Sequence, residues 1–118
     1  MDKVNFIMVE EDQDLVLSLS FDEGTEFGVE GFIVQRSPQF EFILAPEERG
    51  PSLDWTDEDE IILVREVTLS KGEIKIKTKY REYAFDLSGL SRQDLQEMKA
   101  ILKKMNFDNS FRLKAEIA

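Results

Sequence analysis

The sequence predicts an α+β fold, in which one main α-helix, at about residues 92–105, packs on one face of an antiparallel β-sheet of six to seven strands. Apolar and charged side chains alternate over residues 74–80 and 83–87, which is the period of a strand with one buried face. Residues 92–105 instead carry apolar side chains three and four positions apart, which is the period of a helix. With 118 residues and 42% hydrophobic content, residues 1–118 fit a single domain.

The helix has the most explicit sequence signals. Ser91 and Asp94 form a predicted capping box, in which each side chain bonds to the backbone N–H of the other residue. Leu90 and Leu95 occupy the positions of a hydrophobic staple across the same turn. The predicted buried stripe consists of Leu95, Met98, Ile101, Leu102 and Met105.

Strands are predicted wherever apolar residues recur at every second position or form short runs. The first, over residues 4–9, is apolar on both faces, which favours a central position in the sheet, with the next strand antiparallel to it. The last is predicted as an edge strand with charged residues on its open face. The predicted strands cover residues 4–9, 15–21, 32–36, 40–44, 61–69, 74–80, 83–87 and 111–117.

Residues 45–59 form the least regular segment and hold the candidate site. Long loops in compact domains are often functional, and tryptophan is common at interface hot spots. Trp55 is therefore either a partner-binding anchor or a lid folded back on the core. The predicted partner-binding residues are Trp55, Asp54, Asp57, Glu58 and Asp59.

The net charge of −10 is unevenly distributed between the two halves of the chain. Residues 1–60 contain 17 acidic and 3 basic residues, a net of −14, whereas residues 61–118 contain 8 acidic and 12 basic residues, a net of +4. This asymmetry fits either a solvated surface with attraction between the halves or a field that steers a basic protein partner. It disfavours nucleic acid as a partner, because the first half offers too few cations to displace phosphate counterions.

Composition argues against most catalytic chemistry. The chain has no cysteine and no histidine, which excludes disulfides, thiolate ligands, cysteine nucleophiles and imidazole bases. No apolar run approaches the ~20 residues of a membrane span, and residues 1–5 lack the apolar core of a signal peptide. We therefore expect a cytoplasmic protein with no membrane partner, no enzymatic activity, no catalytic residue, no cofactor and no metal. Lys75, Lys77 and Lys79 form a basic ladder that either binds an anion or is offset by acids on neighbouring strands.

The succession of segments resembles immunity proteins of bacterial polymorphic-toxin systems, in particular the immunity protein ten family. The resemblance rests on the apolar pattern of residues 15–19, 32–36, 40–42, 64–76 and 85–87. It implies an α+β domain without enzymatic activity that protects the cell by binding a toxin domain in the cytoplasm. The alternative function is a housekeeping binding or assembly module, including a homodimer formed through an open sheet edge.

Overall fold

The structure is a computed structural model that describes residues 2–21, 31–53 and 62–116. Its single α-helix in these ranges, α1, spans Arg92–Met105, and two short 3₁₀ helices span Pro38–Ile43 and Pro46–Glu48. The strands are β1 (Asp2–Lys3), β2 (Phe6–Glu11), β3 (Leu15–Ser20), β4 (Gly31–Arg36), β5 (Ser52–Leu53), β6 (Val64–Leu69), β7 (Glu73–Thr78), β8 (Glu82–Asp86) and β9 (Arg112–Ala115).

These strands form two sheets, so the prediction of one sheet with six to seven strands was wrong. The N-terminal sheet has the order β2-β3-β4-β5, and the C-terminal sheet has the order β1-β8-β7-β6-β9. All pairs in the N-terminal sheet are antiparallel, but β1 pairs with β8 and β9 pairs with β6 in parallel. The mixed α and β content is as predicted. Alternation along each strand specifies which side chains are buried, but it does not specify whether two strands share a sheet.

Aromatic side chains hold the two sheets together. The Phe32 ring of β4 lies 4.9 Å from that of Phe85 and 5.1 Å from that of Tyr83, measured between centroids. Phe21, which follows β3, lies 5.2 Å from Phe85. The tilted geometry of these pairs is the arrangement that aromatic quadrupoles favour. Both sheets therefore contribute to one core.

The helix has the predicted bounds and the predicted cap. Asp94 N–H donates to the Ser91 hydroxyl at 3.1 Å, and Ser91 N–H donates to the Asp94 carboxylate at 3.2 Å. Helix α1 packs against β2, β3 and β9. Its buried residues are Met98, Ile101, Leu102 and Met105, whereas Leu95 is only partly buried at the edge of the core. None of the described helices is long and apolar enough to span a membrane.

The first apolar run of the chain does not form one central strand. Val4 is buried, and its N–H donates to the Asp86 carbonyl at 2.9 Å in the C-terminal sheet. Strand β2 begins only at Phe6 and forms an edge of the N-terminal sheet, where it pairs antiparallel to β3 as predicted. Both faces of β2 are apolar, but only the face with Ile7 and Val9 packs against the core, whereas Phe6 and Met8 are each 55% exposed.

Residues 40–44 do not form the predicted strand. A 3₁₀ helix begins at Pro38, whose missing N–H and fixed φ suit a first helical position. Phe40 N–H donates to the Ser37 carbonyl at 3.1 Å, and Leu44 N–H donates to the Glu41 carbonyl at 2.9 Å. The strand pattern of residues 40–44 is misleading here, because Glu41 is buried whereas Phe40 and Phe42 are exposed.

The remaining strands lie close to their predicted positions. Strand β6 begins at Val64, preceded by an isolated bridge between Leu63 and Ser52. The turn before β7 is closed by a hydrogen bond from Ser70 N–H to the Glu73 carbonyl at 2.9 Å. Strand β9 forms the predicted edge, beside β6, although it is shorter than predicted.

Candidate functional site

The predicted partner-binding residues lie outside the described residues. They are Asp54, Trp55, Asp57, Glu58 and Asp59. The described residues on either side, Leu53 and Ile62, are buried, and Leu53 N–H donates to the Ile62 carbonyl at 3.0 Å. Leu53 and Ile62, the described residues on either side of residues 54–61, are therefore direct neighbours in the core.

A second candidate site, which the sequence did not reveal, is built around Arg36. This residue ends β4 and follows the inward-facing Phe32 and Val34 at two-residue spacing, so its side chain enters the interior. It is only 2% exposed. A buried guanidinium requires anionic partners and acceptors for its five N–H donors.

Four residues satisfy those donors. Two N–H groups of Arg36 donate to the Glu41 carboxylate, both at 2.8 Å, and two donor contacts reach the Asp108 carboxylate at 2.7 and 2.9 Å. The Nη1 group also donates to the Ser110 hydroxyl at 3.1 Å and to the Met105 carbonyl. Bidentate pairing on two sides fits the planar fork of arginine and would not fit lysine.

The pKa values reflect this pairing. Burial lowers the pKa of Arg36, but hydrogen bonds and attraction from Asp108 and Glu41 outweigh it, and the pKa is raised overall. The hydrogen bond from Arg36 lowers the pKa of Asp108 to about 2, against a smaller opposing effect of burial. Arg36 and Asp108 are therefore both charged at neutral pH.

The cluster joins three segments that are distant in sequence. Arg36 belongs to β4, Glu41 belongs to the 3₁₀ helix Pro38–Ile43, and Asp108 lies in the turn after α1. The Phe107 ring lies over the guanidinium, with its centroid 4.2 Å away, which adds a cation–π contact. Arg36 thus fixes the 3₁₀ helix and the turn after α1 at the same end of the fold.

These two segments carry large apolar side chains into solvent. The exposed fractions are 60% for Phe40, 78% for Phe42, 73% for Ile43 and 59% for Phe107. We call these four residues the aromatic end. A clustered set of exposed apolar residues is more informative than a single exposed one, because such patches often mark interaction sites.

Exposed acidic residues lie near the aromatic end. Leu15 pairs with Arg36 across the N-terminal sheet, so the β2–β3 turn, with Asp12 and Asp14, lies at the same end of the sheet as Arg36. Exposed Glu47 and Glu48 follow in the second 3₁₀ helix. Acidic residues therefore lie at this end of the N-terminal sheet, although Lys104 of α1 forms an ion pair with Glu11, and Arg65 and Arg112 line a cleft beside Ser110.

The lysine ladder has a different environment. Lys77 is directly paired with Glu66 on one side and Glu82 on the other, and Glu66 is in turn paired with Arg112. Acid and base thus alternate across four strands in this row. Opposite charges on neighbouring strands stabilise such pairs, which favours a solvated sheet face over an anion site.

Clefts among the described residues differ in their lining. A groove of about 560 Å³ between the β6–β7 turn and the start of α1 is lined by leucines together with Lys71 and Arg92, without a carboxylate. A smaller cleft of about 220 Å³ adjoins Arg36 and Phe40. Within residues 2–21, 31–53 and 62–116, no group of three or more acidic side chains is arranged to hold a metal ion.

The candidate site thus combines a rigid charged cluster with exposed aromatic side chains, which is an arrangement suited to protein binding. Comparison of the chain with protein-family models, with curated proteins and with solved structures found no match.

Proposed function

We propose that this protein is a non-enzymatic inhibitor that binds a basic toxin domain in the cytoplasm through the aromatic end. The single observation that carries the proposal is the exposure of Phe40, Phe42, Ile43 and Phe107 on two segments fixed by the buried Arg36 cluster. The toxin as partner, and immunity as the role, rest on the resemblance to the immunity protein ten family.

Fixing the aromatic end in the free protein favours binding. Association orders side chains and loops, at roughly 0.5–1.5 kcal/mol for each immobilised flexible side chain. Aromatic rings have few rotatable bonds, and here their backbone segments are already held by Glu41 and Asp108. Phe107 is further restrained by its contact with Arg36. Little additional ordering is needed when a partner covers these rings.

The acidic surroundings favour a partner with basic residues around an apolar contact. Asp12, Asp14, Glu47 and Glu48 are exposed near the aromatic end, and the chain as a whole carries a net charge of −10. Opposite charge accelerates association and limits the choice of partner, whereas buried apolar contacts set the dissociation rate. Trp55 and the acids Asp54, Asp57, Glu58 and Asp59 remain in the proposal as further partner contacts.

Protection of cells from a toxin tests the proposal directly. The probe is the product of any larger gene found directly beside this one, expressed in bacteria together with the full chain. We expect the wild-type protein to restore growth and the double variant Phe40→Ala, Phe42→Ala to lose most of that protection. Tyr80→Ala is the matched control, because Tyr80 is 54% exposed and lies in the β7–β8 bend, outside the two segments that carry the aromatic end.

Two results would contradict the proposal. The absence of any toxin gene beside this one would remove the basis for immunity. Full protection by a folded Phe40→Ala, Phe42→Ala variant would show that the aromatic end is not the contact surface.

A further inference from the structure

Strand β2 is an unusual edge strand. It pairs with β3 along all six of its residues, and it ends the strand order of the N-terminal sheet. Its first four residues, Phe6 to Val9, are all apolar, and Phe6 and Met8 are each 55% exposed. An exposed apolar edge strand has free backbone groups and is a template for pairing with another strand.

The other sheet edges in the described part of the chain are protected in ways that β2 is not. Strands β1 and β5 have only two residues each, which is too short for stable pairing. Strand β9 has four residues and carries Arg112 and Lys114, and positive charge is a common protection of edge strands. Strand β2 has neither a basic residue nor a proline, and its two charges, Glu10 and Glu11, are confined to its C-terminal end.

The sequence of β2 is complementary to itself in one antiparallel register. A two-fold axis at Ile7 would place Phe6 of one copy opposite Met8 of the other, so the two exposed side chains of each copy would meet on one face. Directly opposed side chains in an antiparallel pair share a face, and apolar pairs there stabilise the pairing. The two copies of Glu10 would be six positions apart, roughly 20 Å along the strand, which exceeds the screening length at physiological salt.

We propose that a second copy of this chain pairs with β2 in this register and joins the two N-terminal sheets into one continuous sheet. Such a contact involves one strand and its neighbouring side chains, so its area falls at the low end for specific interfaces. The dimer is therefore weak, and it forms in the micromolar to millimolar range of protein concentration.

The response to salt concentration distinguishes this dimer from the toxin complex. Each copy carries a net charge of −10, so two copies repel each other and added salt strengthens their association. Binding of an acidic protein to a basic toxin domain weakens with salt instead. The two proposals can therefore succeed or fail independently.

Sedimentation of the full chain, measured over this concentration range at low and high salt, tests the dimer. We expect reversible dimerisation that increases with salt and is lost in Met8→Lys. Phe42→Lys is the matched control, since it places the same charge on another exposed apolar site, and it should dimerise like the wild type. Loss of dimerisation in Phe42→Lys but not in Met8→Lys, or a wild type that remains monomeric throughout, would overturn the proposal.

Hydrogen exchange gives a second measurement that needs no variant. The β2 amides that do not bond to β3 should exchange more slowly as the wild-type concentration rises, because a second strand then accepts from them. Association without any change in β2 exchange would place the contact elsewhere and refute β2 pairing. Slower β2 exchange in a chain that stays monomeric would likewise refute the second copy as the cause.

Discussion

At the residue scale, Arg36 decides the shape of one end of the molecule. Its side chain is buried. Two edges of the planar guanidinium group each donate hydrogen bonds to a carboxylate, and the Phe107 ring lies over its face. A buried ion pair is weak evidence for net stabilisation, but removing one partner leaves a buried charge without compensation. We therefore expect any replacement of Arg36 to lower the free energy of unfolding.

Replacement of Arg36 by alanine should lower the free energy of unfolding by roughly 3–5 kcal/mol, because Glu41 is then a buried, unpaired charge. Arg36→Lys should recover only part of this loss, since lysine lacks the planar fork. Urea unfolding measures both changes. Arg49→Lys is the control, because the one acceptor of Arg49 among the described residues is the Leu44 carbonyl. Equal effects of Arg36→Lys and Arg49→Lys would contradict a special role for the cluster.

Because of Asp108, the free energy of unfolding should change with pH in the acid range. Its pKa is about 2 in the folded protein, below the ordinary value of about 3.9 that applies when unfolded. A carboxyl group with a lowered folded pKa stabilises the fold above its unfolded pKa and loses that contribution as pH falls. Between about pH 4 and pH 2, the wild type should therefore lose more stability than Asp108→Asn.

A series of urea unfolding curves across this pH range measures the difference. Parallel loss of stability in the wild type and Asp108→Asn would show that the ion pair with Arg36 contributes nothing to the pH dependence.

At the element scale, α1 owes its start to local hydrogen bonds. Ser91→Ala removes the acceptor for Asp94 N–H and should cost about 1 kcal/mol. Gln93→Ala changes an exposed residue of the same turn and should stay within about 0.5 kcal/mol of the wild type. Both values come from urea unfolding, and a cost for Ser91→Ala no greater than that for Gln93→Ala would refute the cap.

Substitutions on the buried face of α1 should lower the free energy of unfolding far more than substitutions at its start. Leu102 is fully buried, so Leu102→Ala should cost about 2–5 kcal/mol through lost burial and the remaining cavity. Leu95→Ala is the matched control, because Leu95 belongs to the same apolar stripe but is only partly buried. A loss below half a kcal/mol for Leu102→Ala would mean that the helix presents a different face to the core.

At the scale of the whole molecule, charge and apolar contacts have separate kinetic effects on partner binding. With the toxin domain as probe, Phe42→Ala should mainly speed dissociation, and a hot spot of 2 kcal/mol or more corresponds to roughly thirtyfold. Trp55→Ala should act in the same way if Trp55 contacts the partner. Charge reversal at Asp57 and Asp59 should mainly slow association at low salt.

Thermal midpoint and binding kinetics, measured on the same variants, distinguish contact from packing. If Trp55 is instead a lid on the core, Trp55→Ala should lower the midpoint and leave dissociation unchanged. Phe42→Ala should not lower the thermal midpoint in either case, because Phe42 is 78% exposed. Unchanged dissociation for both variants would contradict an aromatic contact surface.

The sequence by itself determined the elements whose signals are local. The bounds of α1 followed from its apolar period and from Ser91 and Asp94, which bond to each other across three residues. The strands of the β7–β8 region and strand β3 followed from alternation, because a strand with one buried face shows its period wherever it lies. In these cases neighbouring residues contain all the information that the local structure needs.

Only the tertiary structure decided the division into two sheets and the role of Arg36. Strand pairing depends on which backbone edges meet, and alternation is the same in one sheet as in two. Arg36 bonds to Asp108, which lies 72 residues further along the chain, so no local pattern reveals that its charge is neutralised in the interior. The contacts of Arg36 with Asp108 and Glu41 help to place Phe40 and Phe42 at the surface and not in the expected strand over residues 40–44, because burying Glu41 between them directs both rings outward.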